Sequence, residues 1–206
     1  MAETLRLFVA IVLPAPILER LTAIQQQLRA DTPHGVVRWV DPGGIHLTLK
    51  FLGEAPASQR PELESALTAA VGERQPFELV LSDLGCFPSE RRPRVVWVGL
   101  NGALPALQAL RDDVERAISP LGYPTEDRPF SPHLTLGRVR REAATSQAAL
   151  LGGLVMNTRH TFAQAWRVSS VSLMLSELDP GGATYTELHR VRFSGGSASP
   201  PDRKSD

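Results

Sequence analysis

One tetrapeptide occurs twice in this chain, as His46-Leu47-Thr48-Leu49 and again half a chain later as His133-Leu134-Thr135-Leu136. The first copy lies in an extended run from Ile45 to Leu52, between the turn Asp41-Pro42-Gly43-Gly44 and Gly53. The second lies in an extended run from Phe130 to Leu136, after a polar loop ending at Pro129. Successive side chains of a strand point to opposite faces, so His46 and Thr48 share one face while Leu47 and Leu49 share the other. The second copy sorts His133 and Thr135 from Leu134 and Leu136 in the same way. Two similar lobes facing each other about a pseudo-two-fold axis would bury the leucines and bring both imidazoles and both hydroxyls to one cleft.

The rest of the chain has the elements such lobes need. Leu5 to Leu13 is apolar on both alternating faces and reads as a strand buried on both sides. Ile17, Leu21, Ile24 and Leu28 recur at helical spacing. Ser58 and Pro61 open a second helix over Leu63, Leu67 and Val71. A strand at Phe77 to Leu81, a loop at Pro88 to Arg94 and a strand at Val95 to Leu100 follow. Leu104 to Ile118 is a third helix and Ala143 to Leu151 a fourth, with late strands at Val168 to Leu175 and Tyr185 to Phe193. This mixed order predicts an α+β protein. No Pro/Gly/Ser-rich linker interrupts residues 1–193, so they read as one bilobal domain. Ser194 to Asp206 lacks core-forming residues and reads as a disordered tail.

Composition narrows the partners. With 22 basic and 22 acidic side chains among 206 residues, the chain does not bind nucleic acid or membrane by bulk positive charge, so an anionic ligand must be met locally. The single cysteine, Cys86, cannot form an intrachain disulfide or a cysteine-built zinc site, and reads as an inert thiol in a reducing compartment. The longest apolar run, Leu7 to Leu13, stops at Pro14, far short of a bilayer span. A cytoplasmic protein without membrane attachment is the expectation.

Two imidazoles and two hydroxyls around one point suit phosphodiester chemistry. A neutral imidazole takes a proton from the attacking oxygen while a protonated one gives a proton to the leaving oxygen. Threonine hydroxyls hydrogen-bond the non-bridging oxygens, where charge accumulates. The motifs bring no Asp, Glu or third His at ligand spacing, so neither metal nor cofactor is expected and a metal hydrolase is disfavoured.

These residues resemble a known family. The chain is similar to the two-histidine phosphoesterases, and within them to the bacterial and archaeal RNA 2′,3′-cyclic phosphodiesterases once called 2′-5′ RNA ligases. The similarity runs through Arg6-Leu7-Phe8-Val9-Ala10-Ile11, Ile45 to Glu54, Pro93 to Leu100 and Arg128 to Arg138. The resemblance implies a duplicated fold, two antiparallel sheets flanking a central cleft with helices outside. It also implies metal-independent hydrolysis of a terminal 2′,3′-cyclic phosphate to a 2′-phosphate, with RNA as partner and His46 as proton donor and His133 as proton acceptor. The motif residues alone leave those two roles interchangeable. A monomer is expected.

Other residues carry two readings each. Arg138 is either a phosphate contact or a surface ion pair; five residues beyond His133, it reaches the cleft only if a bulge at Gly137 or the strand's end redirects it. Lys50 shares the parity of His46 and Thr48, or is a solvated strand lysine. Phe51, Phe8 and Trp39 are read first as core and second as a stacking surface for a terminal base. Arg91, Arg92 and Arg94 form a solvated loop or guide an RNA backbone. His34, His160 and His189 are read as structural. Besides hydrolysis, the same site permits the reverse ligation, and a non-catalytic RNA-end binding module is the reading from a different class.

Overall fold

The computed structural model describes residues 3–158, 164–179 and 182–195. The chain begins with β1 (Thr4–Val12), α1 (Ala15–Asp31), β2 (Val37–Trp39), β3 (His46–Pro56) and α2 (Arg60–Val71). It continues through β4 (Phe77–Phe87), β5 (Val95–Gly102), α3 (Leu104–Ile118), β6 (His133–Val139) and α4 (Thr145–Asn157). The strands β7 (Ala165–Val168), β8 (Ser170–Asp179) and β9 (Gly182–Arg192) close it. The described residues form two antiparallel sheets, ordered β3-β1-β8-β9 and β2-β6-β5-β4-β7, which is the α+β architecture the sequence predicted. Each sheet holds one copy of the tetrapeptide, in β3 and in β6.

β1 is central in its sheet, and Leu7 through Ile11 are all buried. Leu7, Val9 and Ile11 enter the main core beneath the helices. Phe8 and Ala10 point the other way and pack with Met174 against Tyr185, on the face that carries His46. The helices bury the stripes their spacing predicts: Ile17, Leu21, Ile24 and Leu28 in α1, Leu63, Leu67 and Val71 in α2, Leu107, Leu110, Val114 and Ile118 in α3. Each such leucine or isoleucine contributes about 1.5–3 kcal/mol on burial, so these stripes decide which side of each sheet becomes core.

Several boundaries differ from the sequence reading, among them the ends of β3, which runs on through Gly53 to Pro56, and of β4, which runs on from Leu81 to Phe87. The run Val168 to Leu175 is not one strand: β7 pairs with β4 in one sheet, and β8 pairs with β1 in the other. Strand β6 begins only at His133, and α4 runs on to Asn157. The three-residue β2, too short to leave a pattern, crosses to the edge of the second sheet and pairs with β6. Ser194 and Gly195, the first residues of the expected tail, are tied to the fold, because their backbone N–H groups donate to the carbonyls of Gly72 and Arg74. The remaining residues, 196–206, lie outside the described residues. Among the described residues no helix is long and apolar enough to cross a membrane.

Candidate active site

The two motif strands share an irregularity as well as a sequence. In β3, Thr48 lies opposite Ala10 and Lys50 opposite Val9, which leaves Leu49 without a partner. In β6, Thr135 lies opposite Trp97 and Gly137 opposite Val96, which leaves Leu136 without one. Each tetrapeptide therefore ends in a β-bulge, and the extra residue inverts the parity of everything beyond it. Lys50 and Gly137 turn to the core side, and Phe51 and Arg138 return to the face of the histidines.

This irregularity decides which way the side chains beyond each bulge face. Arg138 is exposed on the same face as His133 and Thr135, and the redirection occurs at Leu136 rather than at Gly137. Glycine at 137 serves packing instead: a Cβ there would stand 2.6 Å from Cγ1 of Val37 and 3.0 Å from Cε3 of Trp39. Lys50 matches neither of its readings, since it is buried, with Nζ 2.5 Å from Oε2 of Glu115 and donating to the Pro124 carbonyl at 2.8 Å. Phe51 is not core but 70% exposed, 6.3 Å from Phe8 between ring centroids. Phe8 is buried, and Trp39 packs on the core side. One lobe thus presents a phenylalanine where the other presents an arginine.

Both histidines are held alike. Nδ1 of His46 is 2.8 Å from the Gly44 carbonyl, and Nδ1 of His133 is 2.8 Å from the Ser131 carbonyl. A carbonyl only accepts, so each Nδ1 carries the proton and each Nε2 keeps its lone pair for another partner. Aromatic rings fix the planes. Phe8 lies 4.6 Å from His46 and Tyr185 meets it edge-on at 4.9 Å, while Phe87 meets His133 edge-on at 4.9 Å and Trp97 stands at 6.5 Å. Burial pushes both histidines below their ordinary pKa, the backbone bonds oppose this, and the positive charge of Arg138 lowers both further. A single guanidinium is therefore within electrostatic reach of both imidazoles. Thr48 and Thr135 are half-buried beside them, and neither hydroxyl makes a hydrogen bond among the described residues.

Sequence reasoning missed Tyr185, Phe87 and Trp97 as neighbours of the histidines: Trp97 lies in the Pro93 to Leu100 string but was not singled out, and Tyr185 and Phe87 lie in strands without a motif. It also missed Gln25, whose amide reaches the bulge of β6. The remaining candidates lie elsewhere. Arg91, Arg92 and Arg94 are exposed in the β4–β5 loop. Nε2 of His189 is 3.0 Å from Oγ1 of Thr68, His34 is exposed, and His160 lies outside the described residues. Burial, and then the Glu90 carboxylate, push the Cys86 thiol up to about 11, which keeps it protonated and unreactive. A cavity of about 490 Å³ beside Arg111 and Arg116 touches neither histidine. Among the described residues no three His, Cys, Asp or Glu side chains gather where they could hold a metal.

Comparison with known proteins agrees with this geometry. The profile of the 2′-5′ RNA ligase superfamily matches residues 13–180. The RNA 2′,3′-cyclic phosphodiesterase of Methanothermobacter thermautotrophicus is 31% identical over 91% of this chain and 98% of its own. That of Aeropyrum pernix is 35% identical over 81% and 93%. The crystal structure of TT0787 of Thermus thermophilus superposes with a TM-score of 0.75 at 30% identity, covering 93% of this chain and 99% of that one. With both histidine motifs in place on a shared fold, the chain belongs to the 2′-5′ RNA ligase superfamily of two-histidine phosphoesterases.

Proposed function

We propose that this protein is an RNA 2′,3′-cyclic phosphodiesterase that opens a terminal 2′,3′-cyclic phosphate to a 2′-phosphate by two-histidine acid–base catalysis, without a metal. The observation that carries the reading is the matched pair of Nδ1-anchored histidines under the influence of one arginine.

In the reaction a water oxygen attacks phosphorus and its proton passes to Nε2 of His133. The bond from phosphorus to the 3′-oxygen breaks, and Nε2 of His46 delivers a proton to that oxygen. The products are a 2′-phosphate and a 3′-hydroxyl. Each proton transfer contributes about 10² to 10⁴ in rate. Thr48, Thr135 and Arg138 hold the non-bridging oxygens, and the Arg138 charge opposes the charge that builds there. Phe51, exposed on the same face, offers its ring to the terminal base, a contact worth about 1–3 kcal/mol that tolerates any base.

Burial and Arg138 hold the pKa of His46 below its ordinary value, so the imidazole takes up the proton it donates from solvent once the substrate is bound. A bound phosphodiester anion beside the imidazole favours its charged form and offsets the effects of burial and Arg138. Ligation is the same path reversed, with acid and base exchanged, and water at about 55 M favours hydrolysis. The protein acts as a monomer in the cytoplasm. The test is to incubate the EDTA-treated protein with an oligoribonucleotide ending in a 2′,3′-cyclic phosphate and identify the product. A 2′-phosphate is expected; a 3′-phosphate, or no reaction until a divalent metal is restored, would contradict the reading.

A further inference from the structure

The edge of the second sheet holds a pair of charges that the reaction at the histidines does not use fully. Arg38 of β2 lies directly opposite Arg138 of β6. Its neighbours Val37 and Trp39 pack into the core, so Arg38 is exposed on the face that carries Arg138, Thr135 and His133. Side chains directly opposite in an antiparallel pair have Cβ atoms about 4.5–5.5 Å apart, and like charges in that position repel. Among the described residues neither guanidinium forms an ion pair. Two opposed, unneutralised guanidiniums on one face are stabilised by an anion that lies across both.

That anion is not the reacting phosphate alone. Arg138 lies on the face of β6 that carries His133 and Thr135, and its charge lowers both histidines. Arg38 stands one strand further out, about 4.7–4.9 Å along the hydrogen-bonding direction, at the open edge of the sheet. An RNA strand whose cyclic end lies between the histidines continues from its terminal ribose, through the 5′-oxygen, to a second phosphate. A cyclic mononucleotide ends in a 5′-hydroxyl and offers none.

We propose that Arg38, opposite Arg138 on the sheet edge, binds the phosphodiester on the 5′ side of the terminal nucleotide, and that this contact makes the enzyme select RNA strands over cyclic mononucleotides. The inference rests on the cyclic phosphodiesterase reading and deepens it by naming the preferred substrate.

The test compares kcat/KM for a short oligoribonucleotide ending in a 2′,3′-cyclic phosphate with kcat/KM for a nucleoside 2′,3′-cyclic phosphate. In Arg38→Ala the ratio of the two falls about tenfold, and in Arg38→Lys most of it is retained, because a single charge-assisted phosphate contact is lost in the first and kept in the second. Anisotropy titration with an oligoribonucleotide ending in a 2′-phosphate gives an independent measure. The slope of log affinity against log salt becomes shallower by about 0.7 in Arg38→Ala, as expected for one fewer phosphate neutralised on a single strand. An unchanged ratio, whether both substrates slow equally or neither does, would overturn the assignment. Absence of turnover by the unmodified protein on both substrates would instead overturn the functional reading beneath it.

Discussion

The side-chain amide of Gln25, only 6% exposed, donates to the carbonyl of Leu136 at 2.7 Å and to that of Val40 at 2.8 Å. Leu136 is the bulged residue of β6, so a helix from the first half of the chain secures the irregularity that turns Arg138 toward the histidines. The other half reciprocates. Glu115 of α3 holds Lys50, the residue after the Leu49 bulge of β3. Gln25, Lys50 and Glu115 are three of the four buried polar residues among those described, so most of the buried polarity supports the two motif strands.

Gln25→Leu leaves the Leu136 carbonyl with the Val40 N–H as its remaining partner. A cost of about 1–3 kcal/mol in unfolding free energy is expected from chemical denaturation. The loss in kcat/KM should be strongly non-additive with Arg138→Ala, because the two substitutions disable one device. Full additivity would show that Gln25 supports the fold without acting through Arg138.

Lys50→Met removes the closer of two cations from the buried Glu115 carboxylate and leaves Arg111, whose Nη2 stands 3.1 Å from Oε1, as its remaining partner. Breaking a buried pair from one side costs about 3–5 kcal/mol, whereas replacing both partners with apolar groups is often neutral. Urea unfolding should therefore show Lys50→Met clearly destabilised and Lys50→Met/Glu115→Leu substantially recovered. Equal destabilisation of the single and double variants would contradict this account of Lys50.

Phe51→Ala removes a ring that is 70% exposed, so thermal stability should hardly change. Loss of stacking worth about 1–3 kcal/mol should appear as a KM raised by roughly 5- to 150-fold on a nucleotide substrate. A large fall in melting temperature with an unchanged KM would return Phe51 to a packing role.

The pH dependence follows from burial and from Arg138, which both lower the pKa of His46 and His133 from an ordinary 6.5. The profile of kcat/KM reports the free protein, so its falling alkaline limb should lie below pH 6.5. The limb in kcat should lie higher, once the bound phosphate has raised the donor. Arg138→Ala removes a lowering charge and should move the kcat/KM profile to higher pH. The same shifts bear on folding. The unfolded chain binds more protons than the folded one as pH falls through 6.5, so stability contributed by the neutral histidines is present above that value and lost on acidification. Melting temperatures that rise with acidification across this window would contradict the assignment.

The fold class, the four helices and the two motif strands were legible because they rest on short-range periodicity, as in the stripe of Leu107, Leu110, Val114 and Ile118. The bulges were not, since parity along a strand holds only while the ladder is regular, and nothing in Leu49 or Leu136 marks them as unpaired. That one displaced residue sent Lys50 to the core and Phe51 to the surface. Tyr185 and Gln25 were invisible for a different reason, because each reaches the site from a distant part of the chain and carries no local pattern.

The proposed mechanism has His46 protonate the departing 3′-oxygen while His133 activates water. It is tested most directly by the turnover of His46→Ala and His133→Ala on an ordinary cyclic phosphate end and on one whose 3′ bridging oxygen is sulfur, a leaving group that departs without a proton. On the ordinary substrate each folded variant should lose at least about 10² in rate. On the sulfur-bridged substrate His46→Ala should recover most of its loss and His133→Ala should stay slow. Recovery by His133→Ala alone would reverse the two roles, and near-normal turnover of the ordinary substrate by either folded variant would contradict two-histidine catalysis.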